Sequence, residues 1–186
     1  IMGVLWSFFN PMFMLAVYTF VFSVVFRSRW HAASESRAEF ALILFAGLLV
    51  FNLFSECLSR APGIILSNAN YVKKVVFPLE ILPWVSVGSA LFQLAISGLV
   101  WSIFYLAIKG MLPITFWLFP ILLLPLILLT LGLSWLLASI GVFVRDISQL
   151  IGIFLTALMF LTPIFYPISA LPQKYQYLIM LNPTTL

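Results

Sequence analysis

Charged side chains are scarce in this sequence. Its 186 residues include nine Lys and Arg and five Asp and Glu, so 8% are charged while 64% are hydrophobic. A soluble domain usually carries about 25% charged residues, which excludes an ordinary water-soluble protein and a disordered chain alike. The net charge of +4 is small and scattered, which argues against nucleic-acid binding. The composition indicates an integral membrane protein.

Side chains that carry out chemistry are equally rare. Cys57 is the single cysteine, so an internal disulfide is excluded, and His31 is the single histidine. Glu56 is the only acid within a predicted span, and Arg60 lies one helical turn later, where the two can form an ion pair. Proton- or ion-coupled transport and intramembrane proteolysis need acids, bases or metal ligands within the spans. We therefore expect no catalytic residue, no metal and no cofactor bound by this chain.

The sequence also has no Gly-rich phosphate loop followed by Lys and Ser or Thr. Such a loop is what a chain needs to cradle the phosphates of a nucleotide. If the protein drives transport, the energy must therefore come from an ATPase on a separate polypeptide.

Long apolar runs, interrupted by the few charges, predict an all-α membrane domain. A span needs about 20 mostly apolar residues. Five runs qualify, and they cover residues 4–26, 40–58, 82–108, 116–144 and 147–165. Pro11 predicts a kink in the first span, and Pro120 and Pro125 predict an irregular start to the fourth. Because the chain opens at Ile1 and ends in a loop-like stretch, we expect both ends to be cut.

Two further segments do not fit a plain span or a plain loop. Residues 67–80 are too polar to span and too hydrophobic for a solvated loop, which predicts a short interfacial helix ending near Pro78. It would suit a handle for an ATPase, although a simple amphipathic surface helix fits the pattern as well. Residues 163–183 are apolar and aromatic but interrupted by prolines, which predicts broken or re-entrant structure.

Small and weakly polar residues recur at helical spacing in two spans. One interpretation is close packing of helices, which small residues permit in lipid. The other is a weakly polar conduit wall. The first stripe, in the third span, is Ser86, Ala90, Gln93, Ser97 and Trp101, and the second, in the fourth span, is Thr130, Ser134, Ala138 and Gly141.

Four stretches, taken in order, resemble the transmembrane subunits of ABC transporters of the type-two exporter class. The likeness is greatest to exporters of polysaccharide such as O-antigen, capsule and teichoic acid. The order and spacing of the predicted spans agree along essentially the whole chain. The stretches are Asn70-Tyr-Val-Lys-Lys-Val-Val-Phe-Pro-Leu-Glu-Ile-Leu-Pro83, Val144-Arg-Asp-Ile147, Leu161-Thr-Pro-Ile-Phe-Tyr-Pro167 and Leu181-Asn-Pro183.

The resemblance implies six spans, of which five are visible, with an interfacial helix missing before the first span and the sixth span missing after residues 163–183. It implies a homodimer in the bacterial inner membrane, bound to two copies of an ATP-binding subunit that holds the ATP and Mg²⁺. Residues 67–80 would be the cytoplasmic coupling segment, and residues 163–183 periplasmic re-entrant helices. The implied contacts with the ATPase subunit are Asn70, Tyr71, Lys73, Lys74, Phe77, Pro78, Arg145 and Asp146.

The implied cargo is a lipid-linked polysaccharide of the O-antigen kind. A sugar chain cannot cross hydrocarbon unaided, since each buried hydroxyl without a partner costs several kcal/mol, roughly 2–7 by transfer measurements. A conduit with aromatic faces and hydroxyls, binding weakly and repeatedly, would let the chain slide. The residues expected in its wall are Gln93, Ser97, Trp101, Tyr105 and Tyr166.

Two alternatives remain compatible with the sequence. The first is an ABC exporter of a drug or a lipid. A closed hydrophobic conduit would favour this alternative, whereas a wide aromatic conduit would favour polysaccharide export. The second is a membrane scaffold subunit without transport activity, in which residues 67–80 would tolerate mutation without loss of ATPase coupling.

Overall fold

The computed structural model describes residues 2–20, 37–68, 78–111 and 113–162, and within these ranges the chain is helical without any strand. The all-α prediction is therefore confirmed for the part of the chain described. In these ranges six α-helices follow one another: α1 (Met2–Phe20), α2 (Arg37–Arg60), the single turn α3 (Ile64–Ser67), α4 (Ile81–Lys109), α5 (Phe119–Phe143) and α6 (Ile147–Leu161).

Three helical stretches within these ranges are long and apolar enough to cross a membrane. They are Ala41–Ser67, Ile81–Lys109 and Phe116–Phe143, and they coincide with the second, third and fourth predicted spans. Ser7–Tyr18 and Ile147–Leu161 are shorter apolar helices at the first and fifth predicted spans. The first and fifth spans stay predictions, as does a sixth. The proposed re-entrant segment, residues 163–183, lies outside the described residues.

Proline and glycine set the helix boundaries. Pro62 has no N–H, so it cannot donate the hydrogen bond that would continue α2. The chain passes instead through the 3₁₀ turn Ala61–Gly63 before α3 begins. Gly110 follows α4 with a φ of +78°, a left-handed conformation that glycine adopts without a side-chain clash. Its N–H donates to the Leu106 carbonyl at 2.9 Å, which closes the last turn.

The fourth predicted span begins irregularly, as its prolines indicate. A 3₁₀ turn covers Ile114–Leu118, and α5 starts only at Phe119, with Pro120 in its first turn. Pro is tolerated there because the N–H groups of a first turn have no partner within the helix. Pro125 lies further along, inside α5.

The chain divides into two compact units. The first unit contains Ile1–Val50 and Phe92–Trp117, and the second contains Phe51–Leu91 and Leu118–Leu186. Buried apolar side chains of α2 and α4 form the core of the first unit, among them Leu42, Leu44, Phe45, Leu48 and Val100. The core of the second unit combines apolar and small side chains, including Phe54, Cys57, Val87, Thr130, Leu131 and Ala138.

Candidate functional site

The predicted coupling segment is described only at its two flanks. Asn68 is the last described residue at its start, and its side-chain amide donates to the Ile64 carbonyl at 2.8 Å, which caps α3. After it, Pro78 is exposed and begins a turn in which the Ile81 N–H donates to the Pro78 carbonyl at 3.2 Å. The remaining predicted contacts of this segment lie outside the described residues, namely Asn70, Tyr71, Lys73, Lys74 and Phe77.

Both flanks of the coupling segment line one groove of the second unit. Ile65 comes from the first flank, Leu79 and Glu80 come from the second, and α5 supplies the opposite wall with Trp135 and Ser139. The groove has a volume of about 470 Å³. The two described flanks of the segment therefore lie at the same surface of the second unit.

An indole ring fixes the second flank to α5. Trp135 Nε1 donates to the Glu80 carbonyl at 3.0 Å. The Trp135 ring also meets the Trp84 ring edge to face, with centroids 6.2 Å apart and planes at 72°. Trp135 is 40% exposed. A tryptophan inside a predicted span carries one N–H donor that usually finds a partner away from water, and this is the signal that could have drawn attention to Trp135 in the sequence. The sequence interpretation did not include this contact.

A second contact fixes the first flank to α5. A Cβ added to Gly141 would meet the backbone of Pro62, with the carbonyl oxygen nearest and the carbonyl carbon and Cα both at 2.7 Å. The 3₁₀ turn Ala61–Gly63 therefore packs on α5 at a distance that only glycine allows. The other members of the stripe on α5 are buried too: Thr130, Ser134 and Ala138. Their burial favours the packing interpretation of this stripe over a conduit wall.

Arg145 and Asp146 form the exposed turn between α5 and α6. The Asp146 carbonyl accepts the Gln149 N–H at 3.1 Å, and Asp146 caps α6 without a side-chain hydrogen bond. The turn belongs to the second unit, as do both flanks of the coupling segment. The Arg145 side chain and the Asp146 carboxylate are therefore available to another protein.

The expected ion pair of α2 is present. Arg60 Nη2 lies 2.8 Å from Glu56 Oε1, one helical turn apart and exposed to a large extent. Within the described ranges no three His, Cys, Asp or Glu side chains gather closely enough to hold a metal ion.

The predicted conduit residues that are described all lie on α4 in the first unit, and the structure gives two of them a packing role. Gln93 Nε2 donates to the Ser7 carbonyl of α1 at 3.3 Å. Four residues after Ser7 comes Pro11, which has no N–H to donate to that carbonyl. Gln93 therefore supplies from a neighbouring helix the hydrogen bond that the proline cannot make.

Trp101 is the centre of an aromatic stack. Its ring lies 4.9 Å from the Tyr105 ring and 6.1 Å from the Phe116 ring, at angles of 30° and 11°. Trp101 Nε1 donates to the Leu42 carbonyl of α2 at 2.9 Å. All three rings are half-buried, so part of each remains accessible. We call Trp101, Tyr105 and Phe116 the aromatic stack; Phe116 was not among the predicted residues.

Ser97 and Tyr166 complete the predicted set. Ser97 is buried, with 5% of its surface exposed, so in this arrangement it offers little to a substrate. Tyr166 lies outside the described residues.

Comparison with known proteins gives a consistent result along the chain. Residues 1–186 match the family described as ABC-2 type transporter. The chain is 27% identical to a protein named O-antigen export system permease protein RfbA from Klebsiella pneumoniae, over 98% of this chain and 68% of the relative. It is 31% identical to a protein of the same name from Myxococcus xanthus, over 97% of this chain and 66% of the relative.

Proposed function

The chain belongs to the ABC-2 type transporter family, and we propose that it is the membrane permease subunit of an ATP-driven exporter of lipid-linked polysaccharide of the O-antigen kind. The observation that carries the proposal is the match over nearly the whole chain to relatives named O-antigen export system permease. Membership of the family and the long apolar helices make the protein a multi-pass membrane permease. We propose in addition that the protein lies in the bacterial inner membrane, that transport depends on ATP, and that the substrate is a glycan.

The proposed source of energy for transport is a separate ATP-binding subunit. Two copies of it, holding ATP and Mg²⁺, would bind a homodimer of this chain. Its docking surface on this chain would combine residues 67–80 with the exposed Arg145–Asp146 turn of the second unit. Within the coupling segment the expected contacts are Asn70, Tyr71, Lys73, Lys74, Phe77 and Pro78.

The two anchors of the coupling segment support this arrangement. Pro62 packs on α5 at Gly141 before the segment begins. Glu80, the last residue of the segment, accepts a hydrogen bond from Trp135 of α5. A push on residues 69–77 would therefore reach α5 at two points. Packed elements move as bodies and do not deform continuously, so such a push would shift α5 as a unit.

The aromatic stack is the best candidate for contact with the glycan. Aromatic faces present flat apolar surface to a sugar ring, and they tolerate many sugars because they use no fixed hydrogen-bond pattern. Since Trp101 Nε1 is already bonded to Leu42, Trp101 would offer its ring alone. Gln93 and Tyr166 would supply polar groups, and Ser97 would need a rearrangement to reach the substrate.

The test is co-purification of the full-length protein from its native membrane in mild detergent. The variant Lys73→Glu, Lys74→Glu reverses both charges of the coupling segment. We expect a stoichiometric ATPase subunit with the wild type and its loss with the variant. The matched control is Lys109→Glu, which reverses a lysine at the end of α4 in the first unit and should keep the ATPase.

Export is measured in the same cells by the surface appearance of the glycan and the accumulation of its lipid-linked precursor inside. The double variant should abolish the first and raise the second. If the wild type purifies without an ATPase, or if the double variant exports normally, the proposal is wrong.

A further inference from the structure

A second groove lies in the second unit and differs from the one lined by the flanks of the coupling segment. It has a volume of about 580 Å³ and is lined by the ends of several helices. We call it the serine groove after its hydroxyl-bearing wall, Ser59, Ser67, Ser86, Ser89 and Ser148, which it shares with Arg60. Ile64, Leu82 and Val85 supply apolar surface beside these groups.

Ser86 distinguishes this groove from an ordinary crevice between helices. It is 8% exposed, and its Oγ makes no hydrogen bond within the described part of the chain. Other hydroxyls in these helices donate to the carbonyl four residues earlier, as Ser102, Thr130 and Thr156 do. A buried hydroxyl without a partner costs about 1–3 kcal/mol, and because Ser86 also lines a groove, its hydroxyl can donate to a ligand there.

The hydrogen-bonding capacity of the groove is divided between donors and acceptors. Ser59 Oγ and Ser67 Oγ already donate their protons to the Glu56 and Ile64 carbonyls, at 3.0 Å and 3.1 Å. Ser67 Oγ also accepts from Asn68 Nδ2 at 3.3 Å, which leaves it one lone pair. The lone pairs that remain on the two hydroxyls can only accept, which suits hydroxyl groups on a ligand. Ser86 retains its proton, and the Arg60 guanidinium carries five N–H donors of which Glu56 cannot use all. These donors suit phosphate oxygens.

The position of the groove at the ends of apolar helices indicates a ligand that also has an apolar tail. Arg60 ends α2, Leu82 lies in the first turn of α4, and Ser148 lies in the first turn of α6. The groove therefore lies where apolar helices meet their charged ends, at the depth of lipid headgroups.

We propose that the serine groove binds the headgroup of a lipid that carries a phosphate ester and free hydroxyls. Arg60 and Ser86 donate to the phosphate oxygens, and Ser59 and Ser67 accept from the hydroxyls. Two lipids have this chemistry: an anionic phospholipid with a glycerol headgroup, and a polyprenyl lipid with a sugar on its phosphate. Binding at this groove does not depend on whether the protein exports a glycan.

The test is native mass spectrometry of the delipidated full-length protein, titrated with short-chain phosphatidylglycerol. Arg60→Gln keeps a polar side chain but shortens it and removes its charge, so binding should weaken about tenfold or more, as expected for a charge-assisted hydrogen bond. Ser86→Ala should weaken binding about threefold to tenfold. Glu56→Gln removes the intramolecular competitor for Arg60 and should strengthen binding.

Ser134→Ala is the matched control. Ser134 also has a buried Oγ without a partner in the described ranges, at 1% exposure, but it is not part of the serine groove. The same substitution there should leave lipid affinity unchanged. Phosphatidylcholine, which has no free hydroxyl and whose phosphate lies beside a quaternary ammonium, should bind weakly to every form.

A competition experiment between the two lipids identifies which of them the groove binds. Displacement of phosphatidylglycerol by a polyprenyl phosphate bearing one sugar, lost in Arg60→Gln, supports the site and identifies the carrier-type lipid as its ligand. Failure of that displacement supports the site and assigns it to bulk phospholipid. Wild-type affinity in both Arg60→Gln and Ser86→Ala would overturn the proposal. Equal losses in Ser86→Ala and Ser134→Ala would do so as well, because they would report packing alone.

Discussion

The two units hold their helices together by different means. In the first unit polar side chains reach across to the backbone of another helix, Gln93 to Ser7 and Trp101 to Leu42. In the second unit hydroxyls such as that of Thr130 bond within their own turn, and the 3₁₀ turn at Pro62 packs directly on Gly141. Hydrogen bonds between helices and close approach at small residues are the two main ways in which helices associate in lipid. Among the described residues the close approach is seen in the second unit, where one long-range hydrogen bond, from Trp135 to the Glu80 carbonyl, accompanies it.

The difference predicts where each unit is vulnerable. A unit held by side-chain hydrogen bonds should lose stability in small steps, one bond at a time. A unit held by one close backbone contact should tolerate many side-chain changes and fail at that contact. The four substitutions below test this distinction.

Gly141→Ala should have the largest effect. The new Cβ would overlap the Pro62 carbonyl, and since backbone atoms cannot swing away, α5 and the turn must separate. Overpacking of this kind costs about 1–3 kcal/mol, and the upper end is expected here because backbone must move. Thermal unfolding in detergent measures the loss. Gly132→Ala is the control in the same helix, since its Cβ would meet nothing within 4 Å, and it should be neutral or slightly stabilising. Equal behaviour of the two variants would refute the close contact.

Gln93→Leu should cost about 1 kcal/mol, the usual size of a hydrogen bond between membrane helices. The cost should depend on Pro11, because an alanine there supplies an N–H to the Ser7 carbonyl. In a double-mutant cycle, Gln93→Leu should therefore be nearly neutral in the Pro11→Ala background. Unfolding free energies of the four forms give the coupling. A cycle without coupling would show that Gln93 does not act through this carbonyl.

Trp135→Phe should have a smaller and more local effect. Phenylalanine keeps the aromatic contact with Trp84 but loses the donor to the Glu80 carbonyl, at a cost of about 0.5 kcal/mol for an exposed bond. Hydrogen exchange of the amides in residues 79–82 should speed up while the rest of the second unit is unchanged. Trp117→Phe, at an exposed tryptophan of the first unit, should leave those amides as they are.

Ser134→Ala should have the smallest effect and the opposite sign. It removes a buried hydroxyl that has no partner in the described part of the chain. The unfolding temperature should stay constant or rise slightly, since desolvation of the hydroxyl is no longer required. A clear fall in the unfolding temperature would mean that Ser134 is hydrogen-bonded in the membrane.

Much of the fold could be predicted because lipid leaves few choices. Apolar runs longer than about 18 residues must be helices, and three of the five predicted spans meet the length and hydropathy expected of a crossing helix. The irregular start of the fourth span was expected from Pro120 and Pro125, although Pro125 lies inside α5. The Glu56–Arg60 ion pair followed from spacing alone, because residues four apart share a helix face.

The contacts between distant residues could not be predicted in the same way. Nothing near Gly141 in sequence indicates Pro62, and the small-residue stripe on α5 was compatible with a conduit wall until its burial was known. Gln93 looked like a conduit residue because its partner is a backbone carbonyl, which has no signature in the sequence. The missing N–H of Pro11 was the one available clue. Proline inside a membrane helix implies a donor elsewhere.

The contact between Pro62 and Gly141 also constrains how the protein can evolve. A residue with a side chain can replace Gly141 only if the turn at residues 61–63 has already moved, and that turn leads directly into the coupling segment. Sequence changes that adapt the permease to a different ATPase should therefore accumulate outside this turn. Lineages in which position 141 is not glycine should also show an insertion, a deletion or a lost proline at residues 61–63.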